Sequence, residues 1–203
     1  MAGWAFHKGL AVALPRDNVD TDQLIPARFM SVPRSAGYGD YLLHDLRRDE
    51  DGALHPDFPL NRHPAASILV AGRNFGSGSS REAAVYALVD AGFRAVIAPS
   101  FGDIFAGNAV NNGLLPARVS PEDAAALTQA LHGATAEATV DLETGEIMLG
   151  DLHVDFSLDD SWRTKLINGW DDIDLTRQHS DAIARFREGR RQVAPWAWPA
   201  AEA

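Results

Sequence analysis

Two short apolar runs in the middle of the chain are each followed by a segment that favours a helix. The runs, residues 67–72 and 93–98, are rich in Ile, Val and Ala, and their length and composition predict buried strands. Segment 79–91 has Ala, Val and Leu on one face, and both it and segment 100–112 are directly followed by glycine, which predicts two helices. This order of strands and helices predicts an α/β fold containing parallel strands.

Local signals define further elements on either side of this region. Residues 120–123 are Ser-Pro-Glu-Asp, and this combination of an N-cap hydroxyl, an early proline and first-turn acids predicts a helix, which should run to Leu131. The remaining predicted elements are a strand over residues 10–14, a hairpin pairing 138–142 with 146–149, a strand over 154–158, and helices starting at Asp160 and near Ser180.

The length of 203 residues and the hydrophobic fraction of 46% allow a sizeable core and favour a single domain over residues 1–203. Residues 31–64 are rich in Gly, Pro, Arg and Asp without clear periodicity, so we expect a long functional loop there. Residues 159–203 are expected to form a C-terminal helical extension. Its tail, residues 194–203, should be ordered only by docking.

The chain is acidic, with a formal net charge of -10 and a pI near 5.0, which argues against nucleic acid as a partner. An anionic small molecule remains possible, because a few arginines can reverse the field inside a cleft. Lys8 and Lys165 are the only lysines. Guanidinium suits two-pronged carboxylate binding, although a bias toward Arg and Ala explains the same count.

The sequence contains no cysteine, so it can form no disulfide and can ligate no iron–sulfur cluster through thiolates. No segment reaches the roughly 20 apolar residues that span a bilayer. We therefore expect a soluble, cytoplasmic protein that makes no membrane contact. The seven histidines have no close helical pairing of the kind that binds a metal.

Candidate chemistry lies in Asn-Phe-Gly-Ser-Gly-Ser-Ser-Arg-Glu, residues 74–82, between a predicted strand and a predicted helix. Glycines allow a sharp turn and the close approach of a ligand. Free amides at a helix N-terminus favour negative charge, so a serine there, Ser79, would more easily become an alkoxide. Arg81 can offer a planar fork to a carboxylate. A base and a carboxylate-binding arginine within three residues of each other suit the removal of a proton beside a carboxylate.

Other interpretations of this segment must be compared. It has no lysine for a phosphate-binding Walker loop, no third glycine for a dinucleotide site, and no glycine two residues after Ser79 for a nucleophile elbow. A plain tight turn with a serine N-cap fits the residues equally well. Upstream, Asp20 and Asp22 are either a carboxylate pair for acid–base work or, more commonly for Asp20, residues that organise a turn.

Several motifs carry a resemblance to a known family. Residues 18–29, Asn-Val-Asp-Thr-Asp-Gln-Leu-Ile-Pro-Ala-Arg-Phe, are similar to the opening of isopropylmalate isomerase small subunits, and residues 75–82 resemble the Gly-Ser-Ser-Arg-Glu loop of the aconitase superfamily. Residues 96–105, 112–116 and 168–183 continue the match. The resemblance therefore covers almost the whole chain in order.

The resemblance implies a swivelling β/β/α domain, a mixed sheet or barrel flanked by helices, that closes over a 4Fe-4S cluster ligated by a large subunit. Ser79 would be the catalytic base, and the open iron would polarise the leaving hydroxyl. A loop around residues 34–39 would contact the variable side chain of a hydroxy-diacid substrate. The implied substrate-binding residues are Ser80, Arg81, Asp22, Thr21, Arg34 and Ser35.

The implied activity is that of a hydro-lyase subunit, active only with its large subunit, that interconverts 2- and 3-isopropylmalate in leucine biosynthesis. Four departures from the family pattern concern the substrate. Ser77 replaces a cysteine, Ala83 replaces a histidine, Val85 and Tyr86 replace Pro-Trp, and the specificity loop is one residue longer. A paralogous dehydratase for citramalate or dimethylmalate, and a non-catalytic carboxylate-binding module, are the alternatives.

Overall fold

Among residues 2–198, which the computed structural model describes, seven strands form one mixed sheet in the order β4-β3-β2-β1-β5-β6-β7. The strands are β1 (Phe6–Leu14), β2 (Ala66–Ala71), β3 (Ala95–Ala98), β4 (Leu115–Arg118), β5 (Thr135–Asp141), β6 (Glu146–Leu149) and β7 (Leu152–Asp155). The predicted α/β fold with a mixed sheet is confirmed. The predicted hairpin is β5 and β6.

Strand β1 joins two kinds of sheet. It runs parallel to β2, which continues through β3 and β4 as a parallel half, and antiparallel to β5, which continues through β6 and β7 as a meander. Val12, for example, lies opposite Leu69 on β2 and Thr135 on β5. The last four residues of β1 are all buried, as expected for a strand covered on both faces.

Helices connect and cover the strands. They are α1 (Thr21–Leu24), α2 (His44–Arg47), α3 (Pro59–Arg62), α4 (Ala83–Asp90), α5 (Asp103–Asn111), α6 (Pro121–Leu131), α7 (Asp160–Asn168), α8 (Asp172–Arg177) and α9 (Ser180–Val193). Helix α6 has the predicted bounds, and Ser120 caps it by accepting the Asp123 backbone N–H at 3.0 Å.

Alternate residues of the strands point to two hydrophobic cores, one on each face of the sheet. Leu69 and Val96 pack with the apolar residues of α4 and α5 in one core. Ile68 and Ile97 pack with α6 and the β5–β7 meander in the other. The parallel strands are consequently buried on both faces, and their carboxyl ends lead into the loops that carry the candidate chemistry.

Some predicted boundaries are wrong. Helix α4 begins at Ala83, not at Ser79, and β7 ends at Asp155 rather than residue 158. Strand β4 and helix α8 are additional elements. The predicted 31–64 loop contains α2, α3 and 3-10 turns. Of the predicted C-terminal tail, residues 195–197 form a 3-10 turn, and residues 199–203 lie outside the described part of the chain.

Candidate active site

The segments that follow β1 and β2 are hydrogen-bonded to each other. The Gly76 N–H donates to the Val19 carbonyl at 2.7 Å, and the Thr21 N–H donates to the Ser77 carbonyl at 2.8 Å. Asp20 and Ser77 form an isolated parallel bridge. Because neighbouring parallel strands end at the same edge of the sheet, β1 and β2 bring two stretches far apart in sequence into direct contact.

An aromatic cluster anchors the base of the β2–α4 loop. Phe75 is fully buried, and its ring centroid lies 6.4 Å from that of Phe101 and 5.5 Å from that of Phe105. Gly76 has a φ of 71°, and a Cβ there would lie 2.2 Å from the Phe105 ring. Both its backbone conformation and the lack of space therefore require glycine.

Ser79 lies on the exposed side of this loop and is bonded to Thr21 beneath it. The Ser79 N–H donates to Thr21 Oγ1 at 3.1 Å, and the two hydroxyl oxygens are also 3.1 Å apart. The Thr21 side chain is buried. With its oxygen already accepting the amide, Thr21 can direct its hydroxyl proton to Ser79 Oγ, which stabilises negative charge on that oxygen.

The expected source of this stabilisation was the positive end of a helix, and the structure corrects that expectation. Since α4 begins at Ala83, both Ser79 and Arg81 precede the helix, although both fall inside the predicted helix over residues 79–91. The field of a helix falls off within its first turn. The hydroxyl of Thr21 is therefore the nearer stabilising group for Ser79.

Arg81 is half-buried and forms an ion pair with the more exposed Asp22. Asp22 belongs to α1, and the start of α1 is fixed by a capping box between Asp20 and Gln23. Asp20 Oδ1 accepts the Gln23 N–H at 2.7 Å, and Gln23 Oε1 accepts the Asp20 N–H at 3.1 Å. Asp20 thus organises the turn, as favoured from sequence, and Asp22 is left facing the guanidinium.

The structure brings four of the predicted site residues together, namely Thr21, Asp22, Ser79 and Arg81. Ser80 is exposed between the last two. Arg34 instead ion-pairs with Asp90 at 2.9 Å, and Ser35 is exposed in the same 3-10 turn. That these two residues contact a substrate stays a prediction.

Sequence reasoning missed a polar group beside this cluster. Glu82, next to Arg81, accepts a hydrogen bond from the Asn112 side-chain amide at 2.8 Å. Burial, and secondly a hydrogen bond with Glu82, raise the pKa of Tyr86. The motifs over residues 75–82 and 112–116 include Glu82 and Asn112 but gave neither residue a role, and no local pattern links two side chains that are 30 positions apart in the sequence.

The described part of the chain has no group of three or more His, Cys, Asp or Glu side chains placed to hold a metal ion. Within residues 2–198 no helix has the length and apolar character needed to cross a bilayer. What this chain offers is a hydroxyl on an exposed loop, a guanidinium and a carboxylate. This set can bind a carboxylate and move a proton, and it lies open to a second molecule.

Comparison with known proteins gives the class of this fold and site. The sequence profile of the aconitase C-terminal domain matches residues 1–122. A second profile, that of the C-terminal domain of the 3-isopropylmalate dehydratase small subunit, matches residues 172–199. The Ser79 and Arg81 cluster thus lies entirely within an aconitase-type C-terminal domain.

Individual relatives narrow the class. A 3-isopropylmalate dehydratase small subunit from Shouchella clausii is 48% identical over 92% of this chain and 96% of its own length. One from Frankia casuarinae is 47% identical over 96% of this chain and 98% of its own. A crystal structure of 3-isopropylmalate dehydratase from Methanocaldococcus jannaschii has a TM-score of 0.64 at 26% identity, covering 89% of this chain and 98% of the other. The chain belongs to the family of 3-isopropylmalate dehydratase small subunits, which confirms the resemblance read from its motifs.

Proposed function

We propose that this chain is the small subunit of a hydro-lyase that interconverts 2- and 3-isopropylmalate in leucine biosynthesis, and that it is active only with a large subunit. The observation that carries the proposal is the exposed Ser79 hydroxyl, bonded to the buried Thr21 and followed by Arg81. The names of relatives at 46–48% identity support isopropylmalate over citramalate or dimethylmalate.

In this mechanism Ser79 Oγ removes a proton from carbon. The electrons of the broken C–H bond form the C=C bond of isopropylmaleate while the hydroxyl on the neighbouring carbon leaves with its own bonding pair. Thr21 donates a hydrogen bond to the serine oxygen while that oxygen carries negative charge. Addition of hydroxide to the carbon that lost the proton, and return of the proton from Ser79 to the carbon that lost the hydroxyl, complete the isomerisation.

Arg81 is proposed to bind one substrate carboxylate, assisted by Ser80. A planar guanidinium can hold a carboxylate through two parallel hydrogen bonds. Asp22 occupies the guanidinium in the structure, so the substrate carboxylate takes the place of the Asp22 carboxylate or shares the guanidinium with it. The loop that carries Arg34 and Ser35 is proposed to meet the variable side chain of the substrate.

An iron–sulfur cluster does not fit this chain, which has no cysteine and, over residues 2–198, no group of three metal-ligating side chains. We propose that the large subunit ligates a 4Fe-4S cluster. Polarisation of the leaving hydroxyl would then come from the partner, while this chain supplies the base and the carboxylate grip.

Two exposed regions support a large-subunit partner. The Ser79 loop is open to solvent, and a dehydratase site must be covered to exclude competing water. The C-terminal segment matched by the family-specific profile also exposes large apolar side chains, which mark interaction surfaces. They are Ile173, Ile183, Phe186, Val193 and Trp196. We propose that residues 1–203 act as one swivelling domain that closes on this partner in the cytoplasm.

The test is to co-express the chain with its large subunit and to assay hydration of isopropylmaleate. Ser79→Ala should lower kcat by about 10²- to 10⁴-fold, the usual contribution of a general base. Ser67→Ala is a matched control, because Ser67 lies at the opposite end of β2 and bonds His7 at 2.8 Å; it should keep full activity. Unchanged turnover in Ser79→Ala would reject the base and favour a non-catalytic role.

The substrate is tested separately. The kcat/KM values for isopropylmaleate, citraconate and dimethylmaleate, measured on the wild-type complex, should rank isopropylmaleate first. A higher value for either smaller diacid would reject isopropylmalate as the substrate and leave the proposed roles of Ser79 and Arg81 intact.

A further inference from the structure

The loop that precedes α2 is fastened to α4 through Arg34. Its guanidinium carbon lies 3.8 Å from the centre of the Tyr86 ring, and its NH2 group donates to Asp90 Oδ1 at 2.9 Å. Its Nε also faces Asp90 Oδ2 at 3.4 Å. One planar face and one donor edge of the guanidinium are thus occupied by residues of the same helix.

Asp90 also binds the backbone of the same loop. The Tyr38 N–H donates to Asp90 Oδ2 at 3.3 Å, so one carboxylate, at the last residue of α4, holds a side chain and a main-chain group. The Tyr38 hydroxyl donates to the Val32 carbonyl at 2.7 Å, which closes the loop on itself. These bonds fix residues 34–38 relative to the end of α4.

Gly39 shows how closely this loop lies against the helix. A Cβ at that position would lie 2.7 Å from the Asp90 carbonyl oxygen and 2.8 Å from the Ala91 nitrogen, and such distances do not occur in real side chains. The main chain of the loop therefore touches the main chain at the end of α4. Tyr38 itself is buried, with its ring centroid 6.3 Å from that of Tyr86.

The other end of α4 adjoins the active site. Glu82 is the N-cap residue of α4 and directly follows Arg81, and it accepts the Asn112 amide. One rigid helix of eight residues therefore connects the catalytic loop to the anchored loop.

We propose that Asp90 and Tyr86 are positioning residues, which hold residues 34–41 at a fixed distance from Ser79 and Arg81 by clamping Arg34. In this proposal, which rests on the proposed function, Arg34 acts by holding the loop, and its guanidinium is not the group that meets the substrate. The clamp sets the wall against which the isopropyl group packs, whereas the carboxylate grip of Arg81 is independent of it.

A double-mutant cycle separates a clamp from direct substrate contact. In the complex with the large subunit, Arg34→Ala and Asp90→Ala should each raise the KM for isopropylmaleate about tenfold, because each removes an ion pair and frees the loop. The double variant should be no worse than either single variant. If Arg34→Ala raises the KM far more than Asp90→Ala does, or if the KM increases of the two single variants multiply in the double variant, Arg34 contacts the substrate and the proposal is overturned.

Two controls belong to this cycle. Maleate, which lacks the isopropyl branch, should inhibit all variants with an unchanged inhibition constant, since Arg81 is untouched. If the inhibition constant for maleate rose together with the KM for isopropylmaleate, a role in side-chain selection would be overturned. Glu137→Gln removes the carboxylate of a remote pair, Lys8–Glu137 at 2.7 Å on β1 and β5, and should leave both constants at wild-type values.

A second readout does not need enzymatic activity. Amide hydrogen exchange over residues 34–41 of the full chain should be about tenfold faster in Asp90→Asn and in Tyr86→Ala, while Tyr86→Phe, which keeps the ring beneath Arg34, should exchange much as wild type does. Unchanged exchange in Asp90→Asn would overturn the clamp. Faster exchange in these variants, found together with a wild-type complex that fails to hydrate isopropylmaleate, would uphold the clamp and reject the proposed substrate.

Discussion

Two hydroxyl groups in contact are the smallest unit of this site. Thr21 is held by its own N–H bond to Ser77 and by the amide of Ser79, so its Oγ1 is fixed before any substrate binds. Preorganised donors of this kind cost no rearrangement when charge develops on a neighbouring oxygen. The geometry therefore makes Thr21 the residue on which the basicity of Ser79 depends.

Replacing Thr21 with Val, which keeps the shape and removes the hydroxyl, should lower kcat about 10- to 100-fold, because a hydrogen bond to a charged oxygen contributes about 1.5–3 kcal/mol. Thr21→Ser should restore most of the activity. Steady-state kinetics with isopropylmaleate measures both. A Val variant with a wild-type kcat would show that Ser79 does not need this donor.

At the same scale, the carboxylate of Asp45 allows a test of how the stability of the fold depends on pH. Hydrogen bonds from Arg28, and to a lesser extent from His44, lower the pKa of Asp45 from 3.8 to about 2. A lowered folded-state pKa gives stability that is present above about pH 4 and lost as the pH falls toward 2. Because the pair is largely exposed, this stability amounts to at most about 1 kcal/mol.

The free energies of unfolding of wild type and Asp45→Asn, measured in urea, should therefore differ by up to about 1 kcal/mol at pH 5, with wild type more stable. This difference should shrink toward zero near pH 2. A difference that stays constant between these pH values would mean that the ion pair with Arg28 does not contribute.

At the scale of elements, the β2–α4 loop depends on one glycine. Gly76→Ala places a Cβ against the Phe105 ring and forces a φ of 71° on a residue with a side chain, which should cost about 2–4 kcal/mol of unfolding free energy. Gly107→Ala, in α5 with open space around it, should be neutral or stabilising by up to about 1 kcal/mol. Thermal unfolding of the two variants compares them directly, and equal melting temperatures would contradict the packing argument.

Elements with local signals were predictable from the sequence, and elements set by distant partners were not. Ser120 and Pro121 determine the start of α6 by themselves, and the prediction was right. Ser79 carries similar cap-like signals, yet its amide bonds Thr21, which is 58 residues away, and the helix starts later. Strand β4 contains Pro116 and was not predicted; it lies at the edge of the sheet, where a missing N–H is tolerated.

The candidate site follows the same division. The loop chemistry indicated Ser79 and Arg81, and the family resemblance added Thr21 and Asp22, which the fold does bring alongside. The partners of Arg34 are 52 and 56 residues further along the chain, at Tyr86 and Asp90. No pattern of spacing shows that a guanidinium will stack on a ring so distant in sequence.

Across the whole molecule, one lysine joins the C-terminal segment to the sheet domain. Lys165 is almost fully buried, and its ammonium donates to Asn111 on α5 and to Asp172 at 2.7 Å. A buried ammonium that loses a charged partner is costly. Asp172 is the first residue of α8 and of the stretch matched by the second, family-specific profile. This contact therefore fixes the start of that stretch against the sheet domain.

Asp172→Asn should accordingly lower the free energy of unfolding by about 1–3 kcal/mol, measured by urea titration of the full chain. Asp151→Asn, in the exposed turn between β6 and β7, should change it by no more than about 0.5 kcal/mol. Equal, small changes in the free energy of unfolding for the two substitutions would show that water hydrates the ammonium when its carboxylate partner is removed.

The central place of β1 has a consequence for synthesis on the ribosome. This strand emerges before both of its neighbours: β2 follows only after residues 31–64, and β5 only after β4 and α6 have been made. Until β2 has been made β1 has two open edges, and until β5 has been made it still has one, and an open strand edge invites mispairing with other chains. Arrest of translation before Thr135 therefore leaves a fragment without the strand that shields one edge of β1, and such fragments should require a chaperone to remain soluble.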